Sequence, residues 1–188
     1  KSCVMKNYLK NRKILEEGHV YSKNMEHDAC GVGLIASTEG KKSRKVVEYG
    51  INALKAVFHR GAVDADGKTG DGAGIHLEIP SDFFAEKIEL TGHKHDGSEI
   101  CIGMIFLPRN NYDAQENART LVESELTKSD FSIYGWRQVP VNTKVLGEKA
   151  NFTRPEITQV LFKNNNKNLN GKELERKLYE SRRKIEKE

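Results

Sequence analysis

Residues 28–36 read Asp-Ala-Cys-Gly-Val-Gly-Leu-Ile-Ala, and they separate a charged, irregular leader from the first apolar run of the chain. A short apolar run punctuated by glycine is typical of a buried strand entered through a tight turn. Cys30 lies on that boundary. If the chain is cut before Cys30, this residue carries a thiol, with an ordinary pKa of about 8.5, and a free α-amine, with a pKa of roughly 7.7–8.0. Such a residue is a nucleophile with its own general base, so Cys30 is the candidate catalytic residue.

The composition of the 188-residue chain narrows the class of protein. The length suits one domain or most of one, and 37% hydrophobic residues can build a core. No apolar run is long enough to span a bilayer, and the N-terminus lacks the apolar stretch of a secretory signal, so we expect a cytoplasmic protein without membrane contact. The net charge is +4, but basic and acidic residues are interspersed, which argues against nucleic-acid binding.

The cysteines and histidines indicate neither a disulfide framework nor a metal site. Cys3, Cys30 and Cys101 are odd in number and form no C-x-x-C pair. Cys101 lies in an apolar run and is predicted to be a small buried side chain. His93 and His95 superficially resemble a metal cluster, but two histidines beside a glycine turn without a further ligand nearby are more typical of a solvated loop.

The chain after Cys30 alternates predicted strands and helices. The first strand is predicted at about 31–37. A helix then begins after Ser43, a plausible N-cap. Its apolar residues, which include Val47, Ile51 and Leu54, recur at helical spacing. Gly61 is predicted to supply the left-handed residue that ends this helix.

A glycine-dense loop at 64–74 precedes a second predicted strand at 75–79, which Pro80 closes. A calcium loop would need alternating oxygen ligands and a glutamate further on, and the register does not fit. A phosphate-binding loop would need the glycines to open a helix, whereas here they open a strand. The pattern therefore favours a tight, ordered loop of the kind that lines a pocket.

The remaining pattern predicts a layered α/β protein with a largely antiparallel sheet. The predicted elements are a short helix capped by Ser81 or Asp82 and running through Lys87, a strand at 100–107, a helix from the cap Asn110 or Asn111 to about residue 126, strands at 131–139 and 157–162, and a charged helix at 172–188.

Five motifs, taken in their order and spacing, resemble the large chain of the glutamate synthase family, most closely the bacterial NADPH-dependent type. They are Cys30-Gly31-Val32-Gly33, His59-Arg60-Gly61-Ala62, Asp66-Gly67-Lys68-Thr69-Gly70-Asp71-Gly72-Ala73-Gly74, Ile133-Tyr134-Gly135-Trp136-Arg137-Gln138-Val139-Pro140 and Thr153-Arg154-Pro155-Glu156-Ile157.

This resemblance implies an N-terminal-nucleophile (Ntn) hydrolase fold of the class II glutamine amidotransferases, a four-layer αββα sandwich that we expect to be incomplete in this chain. It also implies that residues 1–29 are a propeptide, removed by cleavage between Ala29 and Cys30, and that residues 30–188 are the N-terminal part of the amidotransferase domain. Cys30 would attack the side-chain amide of glutamine, ammonia would leave, and water would resolve the thioester. Gly31 and Arg60 would bind substrate or support the nucleophile. An alternative for Arg60 is a cation favoured at a helix C-terminus.

The resemblance assigns further parts to a longer enzyme. That enzyme would form glutamate from 2-oxoglutarate with FMN and a 3Fe-4S cluster, and a small (beta) subunit would supply FAD, 4Fe-4S clusters and NADPH. We expect none of these cofactors, and no metal, in this chain. The family's oxyanion-hole Asn-Gly pair follows a histidine, whereas Asn170-Gly171 follows Leu169 and indicates turn chemistry. We therefore expect a fragment with little glutaminase activity on its own, since losing one oxyanion donor typically costs about 10²–10³ in rate.

Two other functions remain open from the sequence. One is a different class II amidotransferase, of the phosphoribosyl or glucosamine type. The other is a non-catalytic module that has kept the fold and serves as an interaction domain.

Overall fold

The computed structural model describes residues 10, 11, 13, 14, 17, 18, 31–57, 63–70 and 72–187 of the chain. The chain divides into two compact units, Lys1–Gly61 and Ala62–Glu188. In the first unit, helix α1 spans Arg44–Ala56. It begins after Ser43, whose extended backbone is typical of an N-cap, so the predicted start is confirmed. The helix ends at Ala56, and the predicted cap Gly61 lies outside the described residues.

The second unit is built on a three-stranded antiparallel sheet. Its strands are β1 at Ile100–Leu107, β2 at Phe131–Gln138 and β3 at Glu156–Asn164, in the order β1-β3-β2. All three strands and their antiparallel pairing match the prediction from the sequence. The central strand β3 is buried on both faces, because Val160, Leu161 and Phe162 are consecutive and at most 4% exposed.

Helices cover both faces of this sheet. Helix α2 spans Ser81–Glu89, α3 Tyr112–Lys128, α4 Glu148–Thr153 and α5 Gly171–Ile185, and a 3₁₀ turn lies at Thr143–Val145. On one face, a core cluster unites α3 and α5 with the strands, and its buried members are Cys101, Val122, Leu126, Phe131, Val160, Phe162 and Leu174. On the other face, Phe84 and Ile88 of α2 pack against Leu161 and its neighbours. Each such side chain contributes roughly 1.5–3 kcal/mol by leaving water.

Local signals set the helix ends in this unit. The side chain of Asn111 accepts a hydrogen bond from the backbone N–H of Ala114 at 3.0 Å and so caps α3 as predicted. Helix α5 begins at Gly171, whose φ of +52° favours glycine, immediately after Asn170. Helix α2 starts at Ser81 with Pro80 as its N-cap and runs two residues beyond the predicted end.

A bulge in β2 keeps its aromatic residues on the correct faces. Ile133 pairs with Phe162 and Gly135 with Leu161, so Tyr134 is the extra residue. Tyr134 therefore packs with α2, whereas Trp136 packs in the core beneath α3 and α5. Gly135 has a φ of +146°, and a Cβ there would lie 3.0 Å from the Cγ2 of Thr91, so glycine is required on two grounds.

The strands predicted at 31–37 and 75–79 are wrong for this structure. Val32 and Leu34 are 94% and 89% exposed, and Ile75 and Leu77 are more than 40% exposed. A strand needs a neighbour to accept and donate its backbone hydrogen bonds, and no ladder reaches either segment among the described residues. The apolar residues of these two segments alternate as they would in a strand, but no described strand pairs with either segment. Among the described helices, none combines the length and the apolar composition that a bilayer crossing requires.

Candidate functional site

The structure places only one of the predicted site residues, because Ala29, Cys30 and Arg60 lie outside the described residues. Gly31, which directly follows Cys30, is exposed and belongs to no strand. The segment from Gly31 runs without regular structure to a turn at 37–40. There the N–H of Gly40 donates to the carbonyl of Ser37 at 3.3 Å, and Gly40 adopts a φ of +66°. The catalytic role expected for Cys30 is therefore a prediction from the sequence.

The glycine-dense loop forms a closed, ordered turn, as its pattern predicts. Val63 and Gly70 form an isolated antiparallel bridge at its base. The N–H of Asp64 donates to the carbonyl of Thr69 at 2.7 Å, and the N–H of Gly67 donates to the carbonyl of Asp64 at 2.9 Å. Gly67 has a φ of +68°, which the reversal of the chain requires. The backbone of the loop therefore satisfies much of its own hydrogen bonding.

Asp66 organises the interior of this loop. Its carboxylate accepts hydrogen bonds from the N–H groups of Lys68, at 2.9 Å, and Thr69, at 2.7 Å, and from the hydroxyl of Thr69. The hydroxyl and N–H of Thr69, and then the N–H of Lys68, hold the pKa of Asp66 well below its usual range. Asp66 is therefore a permanent anion at neutral pH, engaged with the protein's own donors.

The loop is attached to the turn that precedes α4. Lys149 donates to the carboxylate of Asp64 at 2.8 Å, which lowers the pKa of Asp64, and the backbone N–H of Lys149 donates to Asp66. Gly147 lies so close to the loop that a Cβ there would be 2.1 Å from the Oγ1 of Thr69. The absence of a side chain at Gly147 is what permits this contact. We call residues 64–70 and 147–149 together the loop–turn contact.

The loop–turn contact does not have the chemistry of a cation or phosphate site. The oxygens of Asp64 and Asp66 are already bound by N–H and O–H groups of the loop and by Lys149. Among the residues that the structure describes, no group of three histidine, cysteine or acidic side chains could hold a metal ion. The arrangement is instead a self-contained turn, in which the carboxylate of Asp66 holds the backbone N–H groups of Lys68 and Thr69.

The two loop histidines belong to a second polar cluster. The Nε2 of His95 lies 2.9 Å from the carbonyl of Ser98, so this nitrogen carries the proton and cannot serve as a metal ligand in that state. Lys163 and Ser98 donate to Asp96, and Lys163 is the main reason why the pKa of Asp96 lies well below its usual range. Tyr134 packs edge-on against the ring of His95. The cluster fastens the loop at 93–98 to the sheet.

The chain matches a known protein family over most of its length. The family model of the glutamine amidotransferases class-II matches residues 30–188, so the match begins at Cys30 and continues to the last residue given. The chain belongs to the class II glutamine amidotransferases. The resemblance read from the motifs and the predicted Ntn fold class are thereby confirmed. Within this amidotransferase, the described residues form one antiparallel sheet with its helices.

Curated relatives of the amidotransferase are glutamate synthases. The chain is 52% identical over 177 residues to the glutamate synthase [NADPH] large chain of Azospirillum brasilense, which covers 94% of this chain and 12% of that protein. It is 40% identical to the ferredoxin-dependent glutamate synthase of Cyanidium caldarium, over 93% of this chain and 12% of that protein. The chloroplastic ferredoxin-dependent glutamate synthase 2 of Arabidopsis thaliana is 37% identical over 86% of the chain and 10% of that protein. The chain thus spans about one eighth of the length of the first of these relatives.

Sequence reasoning missed two residues that build the loop–turn contact. Gly147 and Lys149 lie about 80 residues from the loop that they hold, so no local pattern connects them with it. The available signal was the single glycine, Gly147, directly before the short segment Glu148–Thr153. That segment forms helix α4. The Gly-rich loop itself was recognised, and its ordered structure is confirmed over residues 64–70.

Proposed function

We propose that this chain forms the N-terminal part of the glutaminase domain of a glutamate synthase, with Cys30 as its nucleophile. The observation that carries this proposal is that the family match begins at Cys30, in a chain whose sequence is 52% identical to an NADPH-dependent glutamate synthase over 94% of its length. In this proposal, residues 1–29 are a propeptide that is removed by cleavage after Ala29. The start of the match at residue 30 supports this boundary.

The chemistry proposed for Cys30 follows from its two functional groups. After cleavage, the free α-amine of Cys30 takes the proton of its own thiol, and the thiolate attacks the carbonyl carbon of the glutamine side-chain amide. The C–N bond breaks, and the amine returns the proton to the departing ammonia. Water then attacks the thioester, which releases glutamate and regenerates the thiol. An unperturbed amine pKa of roughly 7.7–8.0 suits a group that accepts and donates a proton near neutral pH.

Gly31 and Arg60 are proposed to support this reaction. Arg60 would either bind the α-carboxylate of glutamine, which the planar guanidinium matches with two hydrogen bonds, or stabilise the thiolate of Cys30. Gly31 leaves the backbone next to the nucleophile without a side chain, so substrate can approach closely.

The full reaction is proposed for the longer protein. Ammonia would pass to 2-oxoglutarate, and reduction would yield a second glutamate. The higher identity to the NADPH type than to the ferredoxin types supports NADPH as reductant, delivered through a small subunit. We propose a cytoplasmic location on the strength of the relation to the bacterial NADPH-dependent glutamate synthase.

The described residues do not fit the iron–sulfur cluster of such an enzyme. Cluster iron is bound by several cysteine thiolates, whereas the described residues include one cysteine, Cys101, which is 3% exposed and whose thiol pKa burial raises to about 12. We therefore derive no step of the reaction through this cluster in this part of the chain.

Covalent labelling of the full-length parent protein tests the proposal. A diazoketone analogue of glutamine is expected to alkylate Cys30 with a stoichiometry of about one, and ammonia release is expected to stop in parallel. Cys101 serves as the internal control, because a buried thiol with a raised pKa should remain unlabelled in the folded protein.

Two further measurements decide the outcome. Sequencing of the mature N-terminus is expected to begin at Cys30, and active protein that retains Ala29 would contradict the proposed cleavage. A Cys30→Ala variant is expected to lose glutamine hydrolysis but to fold, and normal ammonia production by this variant would refute the role of Cys30. Labelling of a different residue, with Cys30 untouched, would do the same.

A further inference from the structure

A cleft in the second unit lies where β1 ends and β3 begins, beside the C-terminal end of helix α4. It consists of two adjoining concavities, of about 710 and 320 Å³, which share Arg109, Asn110 and Arg154. We call it the Arg109–Arg154 cleft. Pockets that bind small molecules have volumes of roughly 300–1,000 Å³, so both concavities are within that range.

Two arginines in this cleft are oriented without being neutralised. The Nη1 of Arg109 donates to the backbone carbonyl of Asn151 at 3.0 Å, and the Nε of Arg154 donates to the side-chain oxygen of the same Asn151 at 2.8 Å. Both acceptors are uncharged. Among the residues that the structure describes, neither arginine forms an ion pair with a carboxylate. One asparagine therefore holds two guanidinium groups close together, and their positive charges remain available.

The wall that carries Arg109 is rigid. Gln115 is 5% exposed, and its side-chain amide donates to the carbonyls of Pro108, at 2.9 Å, and Arg109, at 3.2 Å. These bonds fix the backbone between β1 and α3. A binding site requires such preorganisation, because the cost of ordering its groups is then met before the ligand arrives.

The other wall of the larger concavity carries two more arginines, Arg119 and Arg137, and an aromatic surface. The guanidinium of Arg119 lies 5.9 Å from the ring centre of Trp136 and pairs with Glu116. Glu156 also lines the larger concavity, where its carboxylate accepts a hydrogen bond from the side chain of Gln138. The acidic groups on this wall are thus engaged with protein donors, and the cleft as a whole presents positive charge.

The floor and the lip of the cleft carry two further features. Thr158 lines the larger concavity and is 4% exposed, and its hydroxyl has no hydrogen-bond partner among the described residues. A buried hydroxyl without a partner is uncommon in folded proteins. At the lip, Phe106 and Phe152 are 63% and 83% exposed. The cleft therefore joins oriented cations to exposed apolar rings.

We propose that the Arg109–Arg154 cleft binds a small ligand that joins an oxyanion group to a planar or apolar body. The oxyanion would be a phosphate ester or a carboxylate, since either presents two oxygens that match the donors of a guanidinium. The apolar body would rest against Phe106 and Phe152. The proposal does not rest on the glutaminase chemistry proposed for Cys30, and its test does not depend on that chemistry.

Hydrogen exchange in the full-length protein, read by mass spectrometry, tests the site locally. Adenosine monophosphate, adenosine and phthalate serve as probes of a phosphate ester, the same body without phosphate, and a planar dicarboxylate. Adenosine monophosphate or phthalate is expected to slow exchange of residues 106–112 and 148–158 with saturable dependence on concentration, while α5 at 171–185 is unaffected. Adenosine is expected to give no protection. Comparison of the two anionic probes identifies which oxyanion the site prefers.

Matched variants distinguish binding at this cleft from a general effect of positive charge on the protein surface. Arg154→Gln is expected to weaken the protection by about tenfold or more, because a charge-assisted bidentate contact is lost. Arg154→Lys keeps the charge but loses the fork, and it should weaken binding as well. Arg176→Gln on α5 removes the same charge from an exposed position and should have no effect. Arg109→Gln provides a second test if Arg154→Gln does not fold.

Three results would overturn the proposal. They are the absence of protection by both anionic probes at tens of millimolar, equal weakening by Arg176→Gln and Arg154→Gln, and a cleft that is already protected in the free full-length protein because another protein segment covers it. None of these results bears on labelling of Cys30, so the two proposals fail separately.

Discussion

Replacing Gly147 by alanine tests how the loop at 64–70 is held on the turn before α4. The φ of Gly147 is −67°, which alanine adopts freely, so any effect comes from the added methyl group and not from backbone strain. That Cβ would lie 2.1 Å from the Oγ1 of Thr69 and 2.3 Å from the Oδ2 of Asp66. Since such contacts need 3.0 Å or more, the loop has to retreat by about 0.9 Å.

This retreat is large enough to break the loop–turn contact. The bond from Lys149 to Asp64, which is 2.8 Å long, would stretch to about 3.7 Å and leave hydrogen-bonding range. Overpacking of this kind costs about 1–3 kcal/mol. At about 1.4 kcal/mol for each factor of ten, the population of the detached loop should rise about 5- to 150-fold.

Limited proteolysis measures that population. Trypsin cleaves after lysine only when the chain is extended in its active site, so cleavage after Lys68 reports opening of the loop. The assay compares initial rates of cleavage at Lys68 in the full-length protein and in its Gly147→Ala variant, by mass spectrometry. Gly74→Ala is the matched control, because a Cβ at Gly74 meets no heavy atom within 4 Å. Equal rates at Lys68 in wild type and Gly147→Ala, or an equal rise in Gly74→Ala, would refute the reasoning.

Three further predictions concern stability and reactivity. Asp66→Asn should destabilise the loop at neutral pH and by less at pH 3, because a lowered pKa contributes stability that is fully present above about pH 4, the pKa in the unfolded chain, and declines as the pH falls towards the folded value. Hydrogen-exchange protection of Thr69 in both proteins at pH 7 and pH 3 checks this, and a difference as large at pH 3 as at pH 7 contradicts it. Leu161→Ala should lower the free energy of unfolding by about 2–5 kcal/mol, measured by urea denaturation, whereas Met104→Ala, at a 49% exposed position, should change it by less than about 1 kcal/mol. The Cys101 thiol should react with a maleimide at pH 8 only after unfolding, since burial raises its pKa to about 12, and fast labelling of native protein contradicts this.

The sheet and its main helices were predictable because their signals are local. The runs that form β1, β2 and β3 are apolar and bounded by proline, asparagine or aspartate, and Asn111 announces the start of α3. The bulge at Tyr134 was not predicted. It depends on contacts across the sheet and with Thr91, which no window of neighbouring residues contains.

Strand pairing and short helices could not be predicted from the sequence pattern. Residues 31–37 and 75–79 carry apolar side chains at strand-like spacing, yet pairing depends on a neighbour that the described residues do not provide. Helix α4 is six residues long, which is too short to display a helical period. It was therefore missed, together with Gly147 and Lys149.

The functional residues, too, were predictable only in part. Cys30 was recognisable from the boundary on which it lies and from the motifs around it, and the family match at residues 30–188 supports the choice. The Arg109–Arg154 cleft has no such signature. Its two arginines are 45 positions apart in the sequence and are brought together only by the antiparallel pairing of β1 and β3 and by Asn151.

Helix α4 and its N-cap contact two different parts of the protein. Gly147 and Lys149 contact the loop at 64–70, and Asn151 accepts hydrogen bonds from both arginines. Gly147 and Lys149 are constrained by the loop and Asn151 by the two arginines, so a change that moves the helix to suit one set of partners disturbs the other. Across related proteins, we expect this segment to accept fewer substitutions than its short length and solvent exposure alone would suggest. A loop transplanted from a relative in place of 64–70 should fold correctly only when helix α4 of that relative is transplanted too.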